Sequence, residues 1–494
     1  LNPHTRNVLQ LGIGFFFIFL AFNSQGFIEE SVLDGYTKTG QVDKHAGYTR
    51  NIFYLKSFRF IEESVLDGYT KTGQVDKHAG YTSLSIIYAS FTVCNFVAPP
   101  IIRLLGTRTS LVTAGLVYVL FLAGFLNVHQ WFLYGTSALL GLAAAVLWTA
   151  QGKYLTLNST PQSAGRHSSL FLCCAQAWFV EIFSYKNRGL SCGGLFLLIV
   201  FLLAPGDVNN NQILQSNKTT TNNTSFTSEN VKLLYSFFTG IALIGVIVLS
   251  LLPPTQRNNC QQEQQNKEEK EEVFILTEIN SIFKIAKTPK MLALAVVFAN
   301  TGILLSFWSR KGEVSLIFER LQLDKIKKSR IIFVGVLIQF LAILLCFVNL
   351  PNESPLNQTT NEAIIKPRVW IALICGFLLS FCDACWSTQI FSFLIINYPT
   401  QSAQAFALLK FYQSLLTSLL FFFSGYMSLH WHLFILLISG TLGYWAFAVA
   451  EKMEITNEKN RRKIDPIELK QTSTSNVSTM FKESGTCANS SPKV

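Results

Sequence analysis

The run from Trp131 to Tyr154, WFLYGTSALLGLAAAVLWTAQGKY, limits what this chain can become more than any other stretch. About 20 apolar residues rising ~1.5 Å each cover a hydrocarbon core of ~30 Å, so the run is predicted to cross a bilayer as one helix. One ridge carries a small residue at every fourth position: Ser137, Gly141, Ala145 and Thr149. In lipid such a ridge lets a neighbouring backbone come close, which reads as packing against protein on that side. The end of the run, Trp148-Thr149-Ala150-Gln151, is echoed by Trp386-Ser387-Thr388-Gln389, the first sign of two related halves.

Composition makes the same argument for the whole chain. Half of its 494 residues are hydrophobic and only 14% are charged, where a soluble domain averages about a quarter charged. The expectation is an all-α membrane protein with many spans, its first partner the lipid bilayer. The net charge of +11 does not point to nucleic acid, because the basic residues lie between the apolar runs, as in loops held in the cytoplasm. Eight of the ten cysteines, from Cys94 to Cys385, lie in apolar runs and act as small hydrophobes. Cys382-x-x-Cys385 has redox or metal spacing, but it sits inside a bilayer-length run with no second pair nearby, which favours packing. His430-x-His432 lacks a third ligand. No Ser/His/Asp set, Gly-rich phosphate loop or metal-spaced cluster is found, so neither an enzyme nor a cofactor is expected.

In chain order, the sequence opens on Leu1, as a fragment would, and a first span covers Val8 to Phe22, without a cleavage site after it. Residues 27–49 and 60–82 then repeat the same 23 residues without a change. The repeated segment is polar and has no apolar face to stack, so it reads as a recent duplication or a gene-model error rather than a structural repeat. Further spans are expected at Leu84–Ile102, with Pro99-Pro100 closing the helix, then Leu111–Leu126 and Trp131–Ala150. Ser168 to Pro205 is broken by Glu181, Lys186 and Arg188, and residues 177–190 read as an insert. After a loop with sequons at Asn217, Asn222 and Asn223 comes Leu233–Leu252, which completes an N-terminal bundle over 1–252. Residues 253–290 form a cytoplasmic linker, in which Ile275, Ile279, Ile282, Phe283 and Ala286 recur at helical spacing. The helix this predicts either joins two bundles, the preferred reading, or lies on the membrane face. A C-terminal bundle over 291–450 contains spans at Met291, Ile331, Val369, Ala403 and Leu433, and a loop with sequons at Asn352 and Asn357. The tail, 451–494, reads as disordered and cytoplasmic, and the N-terminus is placed on the same side. Eleven spans result. Sequons at Asn217 and Asn352 must share one side of the membrane, yet three spans separate them. A return crossing is therefore missing between Trp308 and Ile331.

Gly141-Leu-Ala-Ala-Ala-Val-Leu-Trp148-Thr-Ala-Gln151-Gly closely resembles the Unc-ninety-three-like branch of the major facilitator superfamily. So do Tyr81-Thr-Ser-Leu-Ser-Ile-Ile-Tyr88, the Gly165-Arg166 link, Asp383 with Gln389, Ala405-Phe-Ala407 with Lys410-Phe, and Leu429-His-Trp431. The resemblance extends from Val8 to Glu451. It implies two pseudo-symmetric six-helix bundles and a non-enzymatic regulator or escort of another membrane protein, a channel or receptor. The alternative is a secondary transporter of a small solute, possible proton coupling included. The chain departs from the pattern in its duplicated loop, its insert, an eighth helix that is absent, and a link between spans two and three that is reduced to Arg103–Arg108 without an Asp.

Asp383 is the only carboxylate deep in a clear span, and an ionisable group in lipid is by default a functional candidate with a partner to be named. Lys410 is that partner by depth, about one helical turn away. The pair reads either as a structural salt bridge or as a coupling and substrate site. Gln151 and Gln389, each three residues after Trp148 and Trp386, would face a central cavity or hydrogen-bond neighbouring backbone. Asn95, Asn300, Gln339 and Gln413 read as interhelical glue.

Overall fold

The computed structural model describes residues 2–24, 79–126, 129–176, 181–182, 190–191, 228–254, 271–307, 328–352, 363–366, 368–423 and 427–483. Its helices are α1 (Pro3–Ser24), α2 (Ala79–Cys94), α3 (Ala98–Leu105), α4 (Thr107–Gly124), α5 (Gln130–Leu157), α6 (Ala164–Gln176) and α7 (Ser228–Ser250). They continue with α8 (Glu271–Ala286), α9 (Pro289–Phe307), α10 (Lys328–Asn349), α11 (Val369–Asn397), α12 (Ser402–Phe423) and α13 (Leu429–Glu483). Within the expected insert the described residues form a two-residue antiparallel pairing, β1 (Glu181–Ile182) with β2 (Leu190–Ser191).

Among the described residues, seven helices are long and apolar enough to cross a membrane, or eight if α2 and α3 are counted as one bent span. The other three expected spans fall on α6, α7 and α12. The first has 13 described residues, and the apolar stretch of the second is only Tyr235–Ser250. Pro99 and Pro100 do not close a helix as expected. They open α3, which turns 70° from α2. Proline fits the first helical turn because an amide donor there has no intrahelical partner anyway. Gly106 then joins α3 to α4 at φ +82°, a left-handed conformation that favours glycine.

The helices pack as two halves with matching neighbours. In the first, α1 packs on α7 and α6, while α4 packs on α5 and α7. In the second, α9 packs on α13 and α12, while α10 packs on α11 and α13. Superposing these pairings makes α5 the counterpart of α11 and α1 the counterpart of α9. The close pairing of α2 with α5 has no described counterpart in the second half.

Both ends of the bundle are fixed by hydrogen bonds. At one end the Leu429 amide donates to the Asn352 carbonyl (3.0 Å), and the Arg368 amide donates to Asn349 Oδ1 (2.8 Å). Trp131, Trp370 and Trp431 are exposed at this end, where an interfacial aromatic belt would lie. At the other end Lys290 pairs with Glu454, and Glu451 accepts from the Lys328 amide (3.0 Å). The linker helix α8 is at this second end. Helices α9 and α10 both start there, and the segment between them, 308–327, is the one to which the sequence assigns the missing return crossing. That segment, most of 27–82 and of 177–190, and 484–494 lie outside the described residues.

Past Glu451, where composition predicts a disordered tail, the backbone runs on as helix to Glu483. Glu451 and Glu454, tied to α10 and α9, account for order in its first turns.

Candidate functional site

The small ridge of α5 brings α2 into backbone contact. A Cβ on Gly141 would lie 2.5 Å from both the Ile87 carbonyl and Ser90 Cβ, and Ser137 Oγ is 2.7 Å from Ser83 Oγ. Ala145 and Thr149 continue the ridge and are buried. One turn on, Trp148 packs on Phe15 and Phe19 of α1 at 5.4 and 5.2 Å between centroids.

Trp148 also faces the second half. The ammonium of Lys410, on α12, lies 4.3 Å from its ring centroid and donates to Gln413 Oε1 at 2.8 Å. Lys410 is only 8% exposed. An ammonium so far from water needs this combination of aromatic face and amide acceptor. Two further contacts hold the halves together here. Thr92 Oγ1 donates to Ser414 Oγ at 3.1 Å, and the Phe406 ring fills the space beside Gly152, where a Cβ would collide with it. Phe406 in turn meets Phe391 of α11 edge-on at 5.3 Å.

Gln151 is fully buried, and among the described residues neither its amide nitrogen nor its oxygen has a hydrogen-bond partner. Leaving a buried polar group unsatisfied costs about 1–3 kcal/mol, so the position is expensive to keep as glutamine without a use. Thr149 Oγ1 is equally unsatisfied. The counterpart Gln389 differs, its nitrogen lying 3.4 Å from Thr388 Oγ1.

Asp383 is 4% exposed and accepts from Ser387 Oγ at 3.5 Å. Trp386, fully buried, points into its own half. A Cβ on Gly443 of α13 would lie 3.2 Å from its ring and 3.3 Å from Asn300. The two tryptophans at matching positions therefore have different tasks: Trp148 reaches the seam, and Trp386 fills the core of its half. Cys382 donates to Gln339 of α10 at 3.3 Å, and a Cβ on Gly335 of α10 would lie 2.8 Å from Cys385, so both cysteines serve the α10–α11 contact. Gln339 donates to the Leu436 carbonyl (2.8 Å) and Asn300 accepts from Ser439 (2.9 Å), tying α10 and α9 to α13. Among the described residues no group of three or more His, Cys, Asp or Glu stands together as a metal site would.

Asn352 is exposed at the aromatic-belt end, its Oδ1 accepting from the His430 amide (3.1 Å). Asn217, Asn222, Asn223 and Asn357 lie outside the described residues. At the α8 end His167, just before the apolar run that starts at Ser168, lies between Thr5 Oγ1 (3.2 Å) and Ser159 Oγ (3.0 Å). Burial, with Arg166 beside it, holds its imidazole below the ordinary value.

One carboxylate escaped the sequence reading. Glu278 of α8, 5% exposed, pairs with Arg103 of α3 and accepts from Gln404 of α12 at 2.8 Å. A signal was present: Glu278 lies three residues after Ile275 and four before Ile282, so an acid stands on the apolar stripe itself.

Residues 71–310 and 312–448 match the family described as "Ion channel regulatory protein UNC-93". The chain is 29% identical to UNC93-like protein MFSD11 of Xenopus tropicalis over 91% of its length and 97% of that protein. It is 25% identical to human protein unc-93 homolog A over 76% of its length and 86% of that protein. Among solved structures, FucP, a major facilitator superfamily transporter in the outward conformation, superposes with a TM-score of 0.53 at 10% identity, covering 91% of this chain and 99% of FucP.

Proposed function

Because the chain belongs to the UNC-93 family and has the major facilitator fold, we propose that it binds a small polar solute on the seam between its halves and moves it across the membrane. The observation that carries this reading is Gln151. A fully buried amide with both groups unsatisfied, beside the place where Trp148 meets Lys410, is what a polar ligand would complete. In this reading Lys410, Gln413 and Gln151 contact the solute, and Trp148 is the wall against which it lies. Asp383, the intramembrane acid of the second half, couples movement to a proton.

The α8 end is assigned to the cytoplasm. Arg103, Arg108, Arg166, Lys284, Lys287 and Lys290 gather there, and the Asn352 sequon is at the opposite end. Loss of an endoglycosidase-sensitive mass shift in Asn352→Gln would fit this orientation. If Asn352 stays unglycosylated in full-length protein bearing glycans elsewhere, the orientation gains no support from it.

A second reading, favoured by the family's description as an ion channel regulatory protein, is regulation of an ion channel without solute movement, with escort of a receptor as its variant. Reconstitution into liposomes separates the two. Solute or proton flux that Gln151→Ala and Asp383→Asn abolish supports transport. Absence of flux, with stoichiometric co-purification of a channel, supports regulation.

A further inference from the structure

The linker helix α8 does more than connect. Glu278 reaches both halves from it, pairing with Arg103 at the end of α3 and accepting from Gln404 in the first turn of α12. Five residues on, Phe283 stacks on Phe96 at 5.5 Å and an interplanar angle of 14°, and Phe96 packs on Phe411 of α12 at 4.7 Å. An ionic and an aromatic contact therefore run from α8 across the same seam, next to the Thr92–Ser414 bond. From these contacts we infer that α8 is a clasp that holds the halves together at this end, with Glu278 as its two-sided hook.

The physical basis is the burial of Glu278. A carboxylate removed from water needs both partners, and those partners belong to different halves. Any separation of α3 from α12 strips at least one of them and leaves a partly unpaired buried charge. The closed arrangement is thereby favoured over an open one, and the linker's position biases which side of the seam is accessible. Arg103 lies in the link between α2 and α4 that has no acid of its own, so the carboxylate comes from a helix distant in sequence. The clasp would serve transport and regulation alike and does not depend on the choice between them.

The test uses the full-length chain in detergent or nanodiscs with no solute added. Thr92→Cys with Ser414→Cys reports closure by oxidative crosslinking, quantified by mass spectrometry of the peptide pair that contains both positions, so native cysteines need not be removed. The clasp predicts that adding Glu278→Gln lowers the closed-to-open ratio about tenfold, which corresponds to ~1.4 kcal/mol of lost bias toward closure, and so slows this crosslinking. Arg103→Gln and Gln404→Ala should each slow it in the same direction. Arg103 has a half-exposed side chain and its replacement leaves the core intact, so that variant keeps the test valid if Glu278→Gln fails to fold. An unchanged rate in Arg103→Gln and Gln404→Ala overturns the clasp. A change with only one of them shows α8 anchored to one half and overturns it too. Lack of flux in liposomes would count against the transport reading and leave this result standing.

Discussion

Helices α5 and α11 share a register and differ in what they do with it. Aligning Trp148 with Trp386 sets Ser137, Gly141, Ala145 and Thr149 against Cys375, Leu379, Asp383 and Ser387. In α5 all four residues are small, and the α2 backbone lies against Gly141 while Ser83 of α2 meets Ser137. In α11 the same stripe carries a buried leucine and a buried aspartate, and no described helix approaches as α2 does. A stripe in a membrane bundle can thus be spent on close packing or on charge, and each half has taken one course. The tryptophans follow suit, Trp148 reaching across the seam and Trp386 turning inward.

The two helices differ most in what they tolerate at Gly141. Gly141→Leu installs the residue of the other half and should lower stability by about 3 kcal/mol through overpacking against Ile87 and Ser90. Thermal unfolding in detergent would show it, and a melting temperature within a degree of wild type would mean that α2 is not held by this ridge. Next in size is Asp383→Asn, expected to cut proton-coupled flux at least about tenfold, or ~1.4 kcal/mol of barrier, with little change in melting. If instead melting falls and residual flux scales with folded protein, Asp383 is structural. Lys410→Met should remove the contact with Trp148 and cost about 1–2 kcal/mol, while Lys410→Arg retains most of it. Equal melting of the two variants would show that the ring contact contributes nothing.

The smallest effect lies at His167, in the first half only. Its pKa is lowered in the folded protein, chiefly by burial, so the unfolded chain binds the proton more readily. Stability is therefore full above the ordinary value of 6.5 and declines as pH falls below it. A melting curve taken from pH 7.5 to about 5 should show that decline, and His167→Gln should flatten it. A slope that the substitution leaves unaltered would remove His167 as its source.

Much of this architecture could be read from the order of residues. Apolar length placed seven of the eleven expected spans, or eight with α2 and α3 as one bent span, and a shared Trp-x-x-Gln motif announced two halves whose helix pairings turn out to match. The return that the sequons call for between Trp308 and Ile331 lies outside the described residues, although α9 and α10 do begin at the same end. Less of the seam could be read. Gln151 and Gln389 look equivalent in sequence, yet one is unsatisfied and the other bonded to its neighbour, because which way each helix faces is set by its packing partners. Depth matches Lys410 with Asp383 but gives no azimuth, and only the structure shows its ammonium over Trp148 and on Gln413.

By itself, then, the sequence determined that the chain enters a bilayer as helices, that it has two related halves, and that Gln151, Asp383, Gln389 and Lys410 are buried. These follow from local quantities: the length of apolar runs, their hydrogen-bonding needs and the cost of burying charge. Only the tertiary structure decided that Pro99-Pro100 starts a helix, that Trp386 belongs to a core and Trp148 to a seam, and that Glu278 joins three elements. Each of those depends on contacts between residues far apart in the chain, here 175 positions for Arg103 with Glu278 and 126 for Glu278 with Gln404. Local patterning sets what a helix must bury, and the neighbours it meets decide what each buried group is for.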